Sequence, residues 1–187
     1  MLYSHSPNIA ESSPLHSGPI SIGFSWDACA PSSAGHGIRS MDLDTTCLTY
    51  DGTGNLVDTV WFRDKSSRCG AIKHRGDDPG FVFDGAVMDE IIVDLRILPE
   101  NLARMVFVIN SLGPRKFDMV KSCSFEIRDL STGEIIAREA QGATGSHKAF
   151  MTFALVRSAF GWEIRSIGQS FIGRTMDQTA AAAARMA

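Results

Sequence analysis

Short runs of apolar residues recur along the chain from Pro19 onward, and turn-forming residues separate them. Alternation with a period of two is typical of strands with one buried face, and continuous β-branched runs are typical of strands buried on both faces. The sequence therefore predicts strands at residues 20–26, 42–50, 56–62, 90–95, 103–110, 122–129, 134–139, 148–157 and 162–167. Turn-forming clusters at 51–55, 131–133 and 159–161 predict hairpins between neighbouring strands.

This succession of strands predicts an all-β fold, a two-sheet β-sandwich of jelly-roll type. Residues 1–18 are rich in Ser, Pro and His without periodicity, which predicts a flexible N-terminal leader before a sandwich domain at 19–175. The alanine-rich end, 176–187, is predicted to form a short C-terminal helix. On its own such a short helix is only marginally stable.

Length and charge narrow the classes of protein that the chain can represent. Its 187 residues suit one domain, and a net charge of −3 provides no basic stripe for nucleic acid. No apolar run reaches the roughly 20 residues that span a bilayer, and the N-terminus has no secretory pattern. We therefore expect a cytoplasmic protein whose four cysteines are reduced thiols.

Carboxylates are concentrated in the stretch HRGDDPGFVFDGAVMDE, which contains Asp77, Asp78, Asp84, Asp89 and Glu90 among several glycines. Carboxylates at this density repel one another unless a cation lies among them, and glycines allow the chain to bring several oxygens together. Ca²⁺ accepts irregular shells of about 6–8 oxygens, so the stretch predicts a Ca²⁺ site. A solvated acidic loop is an equally open interpretation of the density alone.

A second acidic cluster lies upstream. Asp42 and Asp44 are two residues apart in a predicted strand, so their side chains share a face about 6.6 Å apart. They are either a solvated strand edge or additional ligands for the ion, and Asp27, after Trp26, is a third contributor of this kind.

The order of the motifs resembles the tellurium-resistance family of bacterial calcium-binding stress proteins, the TerD-like domain. The resemblance covers roughly residues 19–175. The motifs that carry it are FSWD at 24–27, MDLDTT at 41–46, HRGDD at 74–78, DE at 89–90, VDL at 93–95, TGEIIAR at 132–138, Trp162 and IGQ at 167–169.

The resemblance implies a β-sandwich that binds Ca²⁺ through acidic loops and is associated with resistance to tellurite, phage and other stresses. Asp42 and Asp44 match the carboxylates of the family's DLD, and Asp77 matches the Asp of its GDN, where Asp78 replaces the Asn. Asp89 and Glu90 match its closing DE. The implied partners are other Ter-type stress proteins, including a membrane-linked complex at the inner membrane face, and further copies of the chain.

The chain departs from the family pattern between these motifs. The family's x-TGEGEGD segment is replaced by residues 79–88, which are two residues longer and retain only Asp84 as a carboxylate. Fewer anionic ligands weaken Ca²⁺ binding. The apolar residues at 81–83, 87 and 88 indicate either an additional strand that folds inward or a docking loop.

No nucleophile elbow, phosphate-binding loop or HExxH motif is present in the sequence, so we do not expect an enzyme. The function expected from the resemblance is that of a Ca²⁺-binding module or scaffold in a stress response. The alternative is a metal-independent β-sandwich that assembles with itself or a partner and has lost tight Ca²⁺ binding.

Overall fold

The computed structural model describes residues 15, 18–28, 43–76, 89–111, 117–142, 145–173 and 175–186, with only the backbone described at 27, 28 and 119. The strands in this part of the chain are β1 Pro19–Ala28, β2 Asp44–Asp51, β3 Leu56–Val60, β4 Ile72–Gly76, β5 Asp89–Asp94, β6 Leu102–Asn110, β7 Val120–Asp129, β8 Ile135–Gly142, β9 Ala149–Ser158 and β10 Gly161–Phe171. The α-helix in the same described ranges, α1, spans Met176–Ala183.

The strands form two five-stranded antiparallel sheets that pack face to face. The first sheet has the order β10-β9-β6-β2-β3, and the second has the order β4-β5-β1-β7-β8. The predicted all-β sandwich with a short C-terminal helix is confirmed. Strand β4 is missing from the sequence prediction, because its residues IKHRG alternate with charges and run directly into the acidic stretch.

Aromatic rings fill the centre of the space between the sheets. The ring of Phe153 stacks on Phe107 from its own sheet at 4.6 Å and on Phe125 from the opposite sheet at 4.2 Å. Phe24 from β1 lies 6.4 Å from Phe153. These rings come from both sheets and are almost fully buried, so they join the two sheets through one apolar layer.

Helix α1 covers the outer face of the first sheet. Ala180 and Ala183 pack in a second apolar cluster with Leu48, Val106 and Met151, which project away from the interior between the sheets. Because both faces of this sheet are covered, β2 is buried at every position between its two terminal residues. The small alanine side chains allow the helix backbone to lie close to the sheet.

Polar contacts fix the position of this helix. Thr175 caps its N-terminus by accepting a hydrogen bond from the N–H of Gln178. The Tyr50 hydroxyl donates to the carbonyl of Ala180 at 2.7 Å, and Arg104 donates to the carbonyl of Ala184 at 3.0 Å. The helix therefore gains from the sheet the stability that its short sequence does not supply.

Two described residues of the predicted leader, Leu15 and Gly18, belong to the packed structure. The carbonyl of Gly18 accepts a hydrogen bond from the N–H of Leu95 at 3.1 Å. Leu15 exchanges two backbone hydrogen bonds with Trp162, at 2.7 and 3.1 Å, and its side chain is buried in the main core. Residues 1–14 lie outside the described residues. None of the helices in the described ranges is long and apolar enough to cross a membrane.

The turn between β2 and β3 is organised by the Asp51 carboxylate. Its Oδ1 accepts hydrogen bonds from the hydroxyl and the N–H of Thr53, at 2.7 and 2.9 Å, and from the N–H of Asn55 at 2.9 Å. The bond from the Thr53 hydroxyl, followed by that from the Asn55 N–H, lowers the pKa of Asp51 from 3.8 to about 2. The hydrogen bonds that hold this turn therefore depend on the ionised form of Asp51 and on pH.

We expect the Asp51 carboxyl of the folded protein to titrate with a midpoint near 2, as measured by carbon-detected NMR. Because this pKa is lowered on folding, the stability from Asp51 is present above pH 3.8 and is lost as the pH falls toward about 2. Thr53→Val should raise the midpoint, whereas Thr132→Val in the β7–β8 turn should not. An unchanged midpoint in Thr53→Val would contradict this account of the turn.

Two adjacent alanines of α1 test how the helix docks. Ala180→Asp places a carboxylate against the apolar sheet face and should lower the free energy of unfolding by more than about 2 kcal/mol. Ala181 is exposed, so Ala181→Asp should cost only about 0.5 kcal/mol of helix propensity. Urea denaturation measures both variants, and equal losses would show that α1 does not depend on this contact.

Candidate metal centre at the acidic rim

Both acidic segments of the chain meet at one end of the sandwich. Strand β2 begins at Asp44 opposite Asn110, the last residue of β6. Strand β4 ends at Gly76 beside Glu90 near the start of β5. We call this end the acidic rim and define it by Asp44, Gly76, Asp89, Glu90 and Asn110. The chain segments 77–88 and 41–42 join the sandwich here.

The Asp89 carboxylate joins the two sheets at the rim. Asp89 of β5 is 2% exposed, and its Oδ2 accepts hydrogen bonds from the N–H of Thr45 at 2.9 Å and from its hydroxyl at 2.6 Å. The Nε2 of His74 lies 3.1 Å from the same oxygen. Oδ1 accepts from the N–H of Glu90 at 3.0 Å. Both oxygens of Asp89 are therefore engaged by protein donors.

The position of Thr45 explains why its backbone is available to Asp89. Strand β3 ends at Val60, opposite Cys47, so Thr45 lies beyond the end of the ladder between β2 and β3. A buried N–H without a ladder partner is costly, and the carboxylate supplies the acceptor. The Asp89 carboxylate, which belongs to the other sheet, thus gives the Thr45 N–H the acceptor that β3 does not provide.

His74 holds Asp89 from the neighbouring strand. Its Nδ1 accepts a hydrogen bond from the N–H of Gly76 at 3.1 Å, which leaves Nε2 as the nitrogen that donates to Asp89. Gly76 has a φ of 72°, a left-handed conformation that favours glycine, and β4 ends there. His74 is thus a structural hydrogen-bond partner of Asp89.

Glu90 follows Asp89 in the strand and extends from the opposite face of the second sheet, because successive residues of a strand alternate. It is 1% exposed and accepts a short hydrogen bond from the Ser21 hydroxyl on β1. The Nε of Arg75 lies 3.7 Å from its other oxygen. Glu90 and Asp89 are therefore adjacent in sequence without sharing a site.

Asp44 lies at the rim on a third surface. Its side chain is on the same face of β2 as those of Thr46 and Leu48, because alternate residues of a strand share a face. Leu48 packs on the outer face of the first sheet. Asn110, paired with Asp44, donates from Nδ2 to the Thr46 hydroxyl at 2.9 Å. Asp44 is thus on the face of β2 opposite to Thr45, the residue that contacts Asp89.

The predicted ligands are only partly described. Asp42, Asp77, Asp78 and Asp84 lie outside the described residues, as does the side chain of Asp27. Within the described ranges, no three His, Cys, Asp or Glu side chains form a group that would hold a metal ion. The engaged oxygens of Asp89 and Glu90 fit an anchoring role for the rim, and the ligand set itself stays a prediction.

Sequence reasoning missed Thr45 and Ser21, the residues that hold the two buried carboxylates. The available signal was the position of Thr45 directly after the DLD motif, where a hydroxyl at a strand end caps a polar partner. Ser21 had no comparable signal, because only the register of β1 against β5 places it near Glu90.

The fold and the rim define a β-sandwich domain in which two acidic chain segments join the body at one end. A family model described as the TerD domain matches residues 10–181, and the chain belongs to this family. The tellurium resistance protein TerZ of Serratia marcescens is 34% identical over 163 residues, which cover 84% of this chain and 83% of that protein. The resemblance in the motifs is confirmed.

Two further comparisons agree with this assignment. The stress response protein SCP2 of Bacillus subtilis (strain 168) is 27% identical over 168 residues, covering 80% of this chain and 81% of that protein. The crystal structure of a homologue of telluride resistance protein (TerD) from Streptomyces coelicolor A3(2) has a TM-score of 0.66 at 19% identity, with 92% of this chain and 100% of that chain covered. The structural comparison shows the fold.

We expect Asp89→Ala to lower the free energy of unfolding by about 3 kcal/mol, because it leaves the buried donors of Thr45 and His74 without their acceptor. Urea denaturation in the presence of a chelator measures the loss. Glu163→Ala is the matched control, because Glu163 pairs with Arg165 on the surface and should cost no more than about 0.5 kcal/mol. Equal losses in the two variants would show that Asp89 does not join the sheets.

Proposed function

We propose that this TerD-family chain is a Ca²⁺-binding module that acts as a scaffold in a stress response. The observation that carries the proposal is the convergence of both acidic segments at the acidic rim, where Asp89 ties the start of β5 to the start of β2. In this proposal the module is cytoplasmic and non-catalytic. Its partners are other Ter-type stress proteins, including a membrane-linked complex, and further copies of itself.

The proposal divides the acidic residues into two groups. Asp89 and Glu90 hold the ends of the two segments through protein donors. The ion then depends on Asp44 and on Asp42, Asp77, Asp78 and Asp84, with Asp27 as a further contributor. A bound Ca²⁺ would supply the positive charge that such a set of carboxylates requires at close range.

The names of the relatives support a role in a stress response. TerZ is called a tellurium resistance protein, and SCP2 is called a stress response protein. A third relative, from Clostridium acetobutylicum, is called chemical-damaging agent resistance protein B and is 27% identical over 125 residues. We infer a role in resistance to chemical stress for this chain from these relatives.

A second candidate function follows from the engaged carboxylates. Asp89 and Glu90 already accept hydrogen bonds from protein groups, so neither buried carboxylate needs an ion to satisfy its oxygens. Together with the loss of acids in 79–88, this favours a metal-independent module that binds itself or a partner. The two candidates predict different responses to Ca²⁺.

For the Ca²⁺ proposal, the chain should melt at a higher temperature in millimolar Ca²⁺ than in a chelator, and Mg²⁺ should raise the melting temperature much less. A ligand at about 100 times its Kd stabilises the folded state by about 2.7 kcal/mol, which is a shift of several degrees in a scan. Isothermal titration gives the stoichiometry on the same sample.

Variants of the predicted Ca²⁺ ligands distinguish binding at the acidic rim from a general effect of negative charge. Asp77→Asn with Asp78→Asn should remove the heat of Ca²⁺ binding, and Asp44→Asn should weaken it. Glu134→Gln is the control, because Glu134 is exposed in the β7–β8 turn away from the rim. No heat and no stabilisation in the natural chain, with self-association that rises with concentration, would replace the Ca²⁺ proposal with the metal-independent one.

A further inference from the structure

A separate pocket opens at the end of the sandwich opposite to the acidic rim. It lies between β3 and β4, the edge strands of the two sheets on the same side. Its lining includes Ile72, at the other end of β4 from Gly76, and Leu102, at the other end of β6 from Asn110. Its volume is about 350 Å³. This is near the lower end of the roughly 300–1,000 Å³ of small-molecule sites.

The wall of the pocket is largely aliphatic. Val57, Ile72, Leu98 and Leu102 line it, and the last three belong to the buried main core. The hydroxyls on the wall have partners, since Thr49 donates to the carbonyl of Asp58 at 3.2 Å. An occupant would therefore bury an apolar body against these side chains.

Asp58 gives this wall a negative charge. It pairs with Thr49, which faces the space between the sheets, and its side chain is 16% exposed. Its Oδ1 accepts from the N–H of Thr59 at 3.0 Å, and its Oδ2 accepts from the N–H of Arg68 at 2.8 Å. Burial and then the charge of Asp58 raise the pKa of the Cys47 thiol, which is consistent with an inward carboxylate.

The charge of Asp58 is only weakly balanced. The Nε of Arg68 lies 3.6 Å from Oδ2, but the Arg68 side chain is 78% exposed, and such surface pairs contribute little. A carboxylate has about four acceptor positions, so the two backbone donors leave room for a further donor. The pocket thus combines an aliphatic wall with an anion that accepts more hydrogen bonds.

We propose that this pocket binds a small organic amine, with its apolar body against Val57, Ile72 and Leu102 and its ammonium group at Asp58. The volume admits a molecule of about a dozen non-hydrogen atoms. The site shares no residue with the acidic rim, so this proposal does not depend on whether the chain binds Ca²⁺.

The test uses 2-phenylethylamine as the probe and 2-phenylethanol as its uncharged counterpart, added to the full chain labelled with ¹⁵N. A ligand of this size in a pocket binds with a Kd on the order of 1 mM. We expect the amine to shift the amide signals of Val57, Ile72 and Leu102, and to bind about tenfold more tightly than the alcohol. Both compounds can donate a hydrogen bond to Asp58, but only the ammonium group of the amine adds a positive charge to that bond.

Three variants assign the effect to named side chains. Asp58→Asn should remove the preference for the amine over the alcohol, and Val57→Trp should abolish binding of both by filling the pocket. Leu56→Trp is the matched control, because Leu56 pairs with Tyr50 on the other face of the sheet and is exposed. It should leave the affinity unchanged.

Cys69 supplies an independent readout in the natural chain. It lines the pocket and is exposed, whereas Cys47 and Cys123 are buried. Bound amine should slow alkylation of Cys69 by iodoacetamide severalfold, as followed by mass spectrometry of its peptide. The proposal is overturned if no signal at the pocket shifts at roughly ten times the expected Kd. Equal binding of amine and alcohol, or no protection of Cys69, also overturns it.

Discussion

The hydrogen bonds between Asp89 and Thr45 are the constraint on which the functional end of this molecule depends. They cross from one sheet to the other at a point where the ladder of β2 with β3 has already ended. A buried carboxylate is tolerated only when its oxygens are satisfied, and here each oxygen has a protein donor. The carboxylate of Asp89, which the sequence pattern predicts as an ion ligand, therefore joins the two sheets of the fold.

The two sheets differ in what lies on their outer faces, and this difference decides the pattern of residues along the strands. The first sheet is covered by α1, so apolar residues occupy both faces of its central strands. The second sheet bears Ser21, Glu90 and Glu126 on its outer face, where arginines balance the acids. The same sandwich thus contains strands with continuous apolar runs and strands in which apolar and polar residues alternate. The difference depends on whether the outer face of the sheet is covered.

Much of the fold could be predicted because strand periodicity and turn chemistry are local. The hairpin at Asp51 and the buried strand β6 follow from residues within a short window. Strand β4 could not be recognised, because its outward Lys73 and Arg75 resemble the charged stretch that follows. The docking of α1 and the role of Asp89 depend on partners more than 40 positions away, such as Ala180 for Tyr50 and Thr45 for Asp89.

The alternation of Asp89 and Glu90 has a consequence for how related sequences can vary in length. A slip of β5 by one residue would exchange the two acids between the inside and the outside of the sandwich. Both acids would then lose their hydrogen-bond partners. Insertions and deletions must therefore be absorbed before Asp89, in the connection from β4. The connection from β4 to β5 comprises residues 77–88, so a change in its length would leave the frame of β5 intact.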